Sequence, residues 1–224
     1  MEFSMAKDVI KLVSVNIELD KHMDRVTAFF QKEQPDVICV QEITASDFAK
    51  LQEKFGMQGF FASMGKYCLD PEKGCFDMGV GIMSQFPFVQ VKRAYYSGDE
   101  DSVDTVRIKS KDDGQKYYHV LLWGTVQKGS ETFTIGTTHF TWSPHGQADN
   151  TQREHLQKLL QILKSIPEIV FCGDFNAPRG REIFQGIADH YTDNIPLEYT
   201  ISIDANLHRA GDLQLMIDGL FSTP

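Results

Sequence analysis

Several apolar runs along the chain read as buried strands, and each of them stops at a polar residue. Residues Val9 to Val15 lead into Asn16, and Val37-Ile38-Cys39-Val40 runs into Gln41-Glu42. Thr132 to His139 closes on Thr137-Thr138-His139, and Ile169-Val170-Phe171-Cys172 opens into Gly173, Asp174 and Asn176 before Pro178 ends the extended run. Runs with no polar face predict strands buried on both sides. Helical spacing appears between them. Met23, Val26, Phe29 and Phe30 predict a helix from about His22 to Lys32, broken at Gln34-Pro35-Asp36. Ser46 reads as an N-cap for a second helix with Phe48, Leu51 and Phe55 on its apolar stripe, ending at Gly56. Leu156, Leu159, Leu160 and Leu163 line one face of a third helix from about Asp149 to Lys164, and a short fourth is expected near Arg181 to Ile187.

The middle of the chain changes character. Short strands at Gln58 to Met64, Gly79 to Ser84, Val89 to Tyr96 and Tyr117 to Val126 follow one another without helices, and the last pairs with Thr132 to His139 through a Lys128-Gly129-Ser130 turn. The acid-rich segment Ser97 to Asp104 reads as a solvated loop, and Leu213 to Ser222 as a last strand containing Asp218. This mixture predicts layered α and β structure with antiparallel sheet. No internal repeat or linker interrupts it, so residues 1–224 are expected to form one domain.

Composition narrows the classes. With 31 acidic against 22 basic residues the net charge is −9, which speaks against holding duplex nucleic acid mainly by phosphate neutralisation. No apolar run approaches the roughly 18 residues a membrane span needs, and the start, Met-Glu-Phe-Ser-Met-Ala-Lys-Asp, is no secretory signal. A cytoplasmic, monomeric protein without membrane partners is expected. Cys39 and Cys172 lie in apolar runs and behave as small hydrophobes. Cys68 and Cys75 lack zinc-ligand spacing; a disulfide between them is open in an oxidising compartment, and free thiols are the expectation.

The polar strand ends carry the chemistry. Asn16 reads equally as a turn residue, Glu42 as a helix-leading acid, and His139 as a satisfied histidine near a sheet edge. If these ends share one side of the molecule, however, they form a cleft of two acids, two amides and an imidazole. Oxygen ligands such as Glu42 and Asn16 suit a hard cation, Mg2+ or Mn2+, that keeps most of its waters and takes up phosphate oxygens. The chain has no H-E-x-x-H, no phosphate-loop G-x-x-x-x-G-K-[ST] and no G-x-S-x-G, so metal-assisted attack of water on a phosphoester fits better than Ser or Cys nucleophilic catalysis.

Six segments then fall into a known order. Ser14-Val15-Asn16, Val40-Gln41-Glu42, Gly79 to Pro87, Thr137-Thr138-His139-Phe140, Gly173-Asp174-Phe175-Asn176-Ala177-Pro178 and Ile217-Asp218-Gly219-Leu220-Phe221 resemble the endonuclease/exonuclease/phosphatase family. The resemblance spans nearly the whole chain. It implies an α+β fold, a four-layer α/β/β/α sandwich of two mixed, mainly antiparallel sheets, with the site at one end of both. It further implies Glu42 as main metal ligand with Asn16 beside it, Asp174 on the attacking water, Asn176 on the phosphate and His139 stabilising the charge that builds up. Asp218 corresponds to an acid that orients a catalytic histidine in a downstream Ser-Asp-His segment.

No Ser-Asp-His occurs in the sequence. A chain cut short of its natural C-terminus is the expectation, and a natural variant without the full site the alternative; either is expected to hydrolyse phosphoesters poorly until such a segment is restored. The implied substrate is a phosphoester, in nucleic acid or in a small phosphorylated molecule, selected by the segments Gly65 to Met78 and Thr141 to Gly146. A catalytically impaired binding module of the same fold is the competing function.

Overall fold

A computed structural model describes residues 9–68, 74–108, 117–208 and 211–224. Its strands are β1 (Leu12–Asn16), β2 (Val37–Thr44), β3 (Gln58–Tyr67), β4 (Phe76–Ser84), β5 (Phe88–Ser97), β6 (Arg107–Ile108), β7 (His119–Lys128), β8 (Glu131–His139), β9 (Val170–Asp174), β10 (Thr192–Asp193) and β11 (Asp218–Ser222). The helices are α1 (Met23–Glu33), α2 (Ala45–Phe55), α3 (Asn150–Lys164) and α4 (Glu182–Ala188). One sheet has five strands in the order β1-β2-β4-β3-β6, the other six in the order β10-β11-β9-β8-β7-β5.

Alternation along doubly buried strands builds the layers. In β2, Ile38 and Val40 pack with Val26 and Phe30 of α1 and Phe48 and Leu51 of α2. The intervening Val37 and Cys39 meet Val120, Leu122 and Cys172 of the other sheet. In that second sheet Leu121 and Phe171 face outward onto Leu156, Leu159, Leu160 and Leu163 of α3. Helices, sheet, sheet, helices is the result, the mixed sandwich expected. Both sheets are mixed: β1 runs parallel to β2 and β8 parallel to β9, while β2–β4, β3–β4, β7–β8 and β9–β11 are antiparallel.

Three local expectations are corrected. The cap of α2 is Thr44, whose side chain accepts from the N–H of Asp47, because β2 runs directly into the helix and leaves Ser46 inside it. The last strand starts only at Asp218; the preceding residues turn aside, with the N–H of Ser202 donating to the carbonyl of Leu215 and that of Ile217 to the Ser202 hydroxyl. Cys68 and Cys75 form a disulfide rather than free thiols. Linear spacing hides the reason: β3 and β4 pair Tyr67 with Phe76, so the two cysteines are the next facing pair, their Cα atoms 4.4 Å apart. Of the segment Gly65 to Met78, residues 69–73 lie outside the described residues. Among the described residues no helix is long and apolar enough to cross a membrane.

Candidate functional site

The parallel pairs β1–β2 and β8–β9 finish at the same end of the sandwich, and their last side chains meet there. The Asn16 amide donates to Glu42 Oε1 and to Asp174 Oδ2, both at 3.1 Å, so it spans the two carboxylates. Its own Oδ1 accepts from the N–H of Glu18 at 3.0 Å, which fixes the amide's orientation. His139 Nε2 lies 3.6 Å from Glu42 Oε1 and 3.9 Å from Asp174 Oδ2. Asn176 Nδ2 donates to the carbonyl of Phe140 and reaches His139 Nε2, each at 2.9 Å. Asp218 opens β11 directly across the antiparallel ladder from Asp174. All six residues singled out in the sequence are thus gathered at one end.

Local backbone geometry does the aiming. Glu42 has φ 51° where the β2–β4 register shifts between Val40 and Ile43, so a bulge two residues before the strand end turns its carboxylate into the cleft. Alternation on a strand does not carry Asn176, because β9 ends at Asp174. Asn176 takes φ 48° in a tight turn whose N–H donates to Asp174 Oδ1 at 2.8 Å. Phe175, between them, is buried in the outer core. Gly173 holds φ 148°, and a Cβ there would stand 1.9 Å from the carbonyl oxygen of Thr138, so β8 and β9 approach closely only because this position is glycine. Two left-handed non-glycine residues at one site are backbone strain located where the polar groups converge.

Electrostatics follow from packing acids together. Burial raises the Asp174 carboxyl above its ordinary range, with the Glu42 charge adding to it; His139, the Asn176 N–H and Asn16 oppose the shift. Asp218 is pushed up to about 7, mainly by desolvation and then by the charge of Asp174, with a hydrogen bond from Ser202 pulling the other way. A buried carboxylate with raised proton affinity is a better base at neutral pH.

Beneath this layer lie polar residues that sequence reading did not assign to the site. Gln41 is fully buried and donates across the gap between sheets to Thr137 Oγ1 at 2.9 Å and, within its own sheet, to Ser14 Oγ at 3.2 Å. His119 Nδ1 stands 2.8 Å from the carbonyl oxygen of His139, and Tyr96 stacks on its ring at 5.9 Å between centroids. The available signal was a polar residue inside an apolar run, which does not reveal its partner on another strand.

Among the described residues no group of three or more His, Cys, Asp or Glu side chains is arranged to hold a metal ion. The donor chemistry nevertheless suits a hard cation. Two carboxylates face each other across a single amide, and that amide N–H pair now supplies the positive partial charge between them. A magnesium ion needs only one or two protein carboxylates and retains several waters.

A family model described as the endonuclease/exonuclease/phosphatase family matches residues 13–223. Solved structures share the fold at low identity. A mannosyl-6-phosphatase from Bacteroides thetaiotaomicron is 13% identical with a TM-score of 0.70, covering 96% of this chain and 86% of its own. The catalytic domain of human nocturnin, with bound sulfate, is 19% identical with a TM-score of 0.66, covering 96% and 81%. TDP2 from D. rerio, complexed with a single-strand DNA product, is 16% identical with a TM-score of 0.65, covering 96% and 83%. No curated protein sequence matches this chain significantly.

Proposed function

The chain belongs to the endonuclease/exonuclease/phosphatase family, and from that premise we propose that it is a divalent-metal-dependent phosphoesterase that hydrolyses its substrate by direct attack of water. The observation that carries this reading is the convergence of Asn16, Glu42, His139 and Asp174, one from each of four strands, within hydrogen-bond or near-contact distance. Glu42 would hold Mg2+ or Mn2+, and the bound ion would supply positive charge to the phosphoryl oxygens. Asn16, expected from the sequence as an oxygen ligand, turns its amide N–H groups to both carboxylates and its Oδ1 to the Glu18 N–H, so in this arrangement it positions the carboxylates rather than ligating. Asp174 orients and deprotonates the attacking water, and its burial strengthens it as a base. Asp218 stands across the ladder from Asp174, whose charge adds to the burial that raises the Asp218 carboxyl.

Proton directions define the work of Asn176 and His139. The Phe140 carbonyl can only accept, so it takes one Asn176 N–H and fixes the amide. The second N–H then points at His139 Nε2, which is an acceptor in this state. The proton that Asp174 withdraws from the attacking water, passed on to Nε2 3.9 Å away, would turn His139 into a donor and release that amide N–H. Both groups then face the phosphoryl oxygens as donors, placed where negative charge develops.

The substrate is a phosphodiester or phosphomonoester, in nucleic acid or in a small molecule; relatives described as a mannosyl-6-phosphatase and as bound to a DNA product span that range. Residues 1–224 would form one such domain, acting as a monomer. The cytoplasmic location expected from the sequence competes with the Cys68–Cys75 bridge, since disulfides persist in oxidising compartments. Thiol titration of protein isolated from its native compartment decides it: two reactive groups after denaturation support the bridge, four the cytoplasm.

The test of function is turnover of chromogenic aryl phosphate mono- and diesters with Mg2+ or Mn2+. Hydrolysis abolished by EDTA and by Asp174→Ala is expected. Binding of a phosphoester without turnover in either metal would establish the second reading, a binding module; what favours that reading is the empty-handed state of His139, whose Nε2 is occupied as an acceptor.

A further inference from the structure

His119 has no part in the reading above, yet it bonds directly to the backbone of a residue that does. The β7–β8 ladder begins at Leu121 paired with Thr138, so the carbonyl of His139 lies just past its end and takes no ladder bond from β7. The His119 imidazole stands in for that bond, its Nδ1 2.8 Å from the carbonyl oxygen. A carbonyl cannot donate, so Nδ1 carries the hydrogen and Nε2 is bare. His119 is 2% exposed, and its Nε2 is buried with no hydrogen-bond partner. Burial pushes the ring down to about 3, which leaves it a neutral donor at neutral pH.

The surroundings hold that donor still. Tyr96 stacks on the His119 ring at an interplanar angle of 17° and is itself 2% exposed. Thr138 Oγ1 donates to the Val120 carbonyl, so it accepts the Tyr96 hydroxyl at 2.8 Å, and a weaker contact of 3.3 Å runs from that hydroxyl to the His139 carbonyl. On the far side His155 lies 5.8 Å from His119 and is fixed by Thr141, its Nδ1 2.6 Å from the hydroxyl. The backbone of His139 is thus braced from behind by rigid aromatic groups while its imidazole faces the two carboxylates.

We propose that His119 is a positioning residue: its Nδ1–H, held by the Tyr96 stack, sets the backbone from which the His139 imidazole reaches Glu42 and Asp174. The kinetic part of this rests on the phosphoesterase reading; the geometric part does not. Imidazole NMR of the wild-type protein tests the geometry without any variant. His119 is expected as the neutral Nδ1–H form between about pH 5 and pH 8, and an Nε2–H form would overturn the proposal.

Two substitutions test the consequence. His119→Phe keeps the stacked ring and removes the donor; His119→Asn keeps an N–H near the Nδ1 position and removes the ring. His119→Phe is expected to lower kcat on the order of 10- to 100-fold, the effect of a small misplacement at a reacting centre, with KM changed less than about threefold. His119→Asn should recover most of the rate even where its melting temperature is the lower of the two. Equal rate losses in both variants, or losses that track stability alone, would show a merely structural role. If the wild type turns over no phosphoester, the functional reading fails on its own. The ring resonances of His139 then decide: shifted in His119→Phe and unshifted in His119→Asn supports positioning, unshifted in both overturns it.

Discussion

The two ends of the sandwich treat charge in opposite ways. At the end where β2 begins, Asp36 accepts from the N–H of Lys11 at 2.9 Å and pairs with Lys128 of the other sheet at 3.0 Å. Lys128 also donates to the Val9 carbonyl at 2.6 Å and covers the Phe86 ring at 4.9 Å. An acid there meets a base, and the pair links the two sheets. At the other end Glu42, Asp174 and Asp218 gather with no lysine or arginine among their described partners, bridged by an amide and an imidazole, and Glu42 and Asn176 hold left-handed backbone. Unpaired buried charge and strain both cost stability. The gathering of acids without a basic partner at one end marks where the fold serves chemistry at the expense of stability; at the opposite end, where Gln34 also takes φ 46° as a helix C-cap, the acids are paired.

Asp174→Asn tests that contrast most severely. The substitution keeps shape, removes both the base and a buried charge facing Glu42, and leaves one acceptor oxygen for the two N–H groups, of Asn16 and Asn176, that the carboxylate accepts. Activity is expected to fall on the order of 10³-fold or more, the range lost with a general base. The melting temperature should rise, by about 2–4 °C for each kcal/mol recovered in a chain of this size. A variant that loses activity and stability together would mean that Asp174 holds the fold, and the contrast between the ends would collapse.

How far the site could be read from sequence depends on whether a residue acts at a strand end or through a partner. Asn16, Glu42, His139 and Asp174 announce themselves because an apolar run must stop somewhere, and a run that stops at a metal- or phosphate-binding residue is visible one strand at a time. The two halves of the four-layer fold show in the same way, through doubly buried strands and the α3 stripe. His119 and Gln41 do not show, since a histidine or glutamine within an apolar run has meaning only once its acceptor on another strand is known. The Cys68–Cys75 bridge stayed hidden for the same reason: it depends on the β3–β4 register. Glu42 and Asn176 were found, but through strand-end and alternation arguments; a bulge and an Asp-capped turn are what aim them. Strand order, with β4 between β2 and β3, leaves no trace in the pattern either.

Two desolvated groups near the site, buried His119 and half-buried Asp218, make stability respond to pH with opposite signs. His119 is depressed to about 3 from 6.5, so its contribution is complete above about 6.5 and is lost as pH falls toward 3, because the unfolded chain takes up the proton first. Asp218 is raised to about 7 from 3.8, so the folded state binds the proton first and its contribution is lost as pH rises through 7. Between about pH 4 and pH 6.5 the two slopes oppose each other. Asp218→Asn removes one of them. That variant is expected to be roughly 1–3 kcal/mol more stable than wild type at pH 8, with the gain vanishing near pH 4. Urea denaturation at both pH values measures it, and an equal gain at pH 4 would assign the effect to something other than a desolvated carboxylate.

The smallest effect belongs to the well-paired end. Lys128→Met keeps an unbranched stem over Phe86 and removes the charge together with the hydrogen bond to the Val9 carbonyl, while Asp36 retains the N–H of Lys11. Both side chains of the pair are partly exposed, at 25% and 18%, so the loss should be modest, about 1 kcal/mol. That corresponds to a fall of about 2–4 °C in melting temperature, narrowing in high salt as the wild-type pair is screened. Turnover should not change, because Lys128 closes β7 at the end remote from His139. A matching drop in activity would mean that the link between sheets at one end sets the spacing of carboxylates at the other. The two ends would then be a single mechanical unit, and the stability spent at the site would be drawn from the whole sandwich rather than from its local backbone.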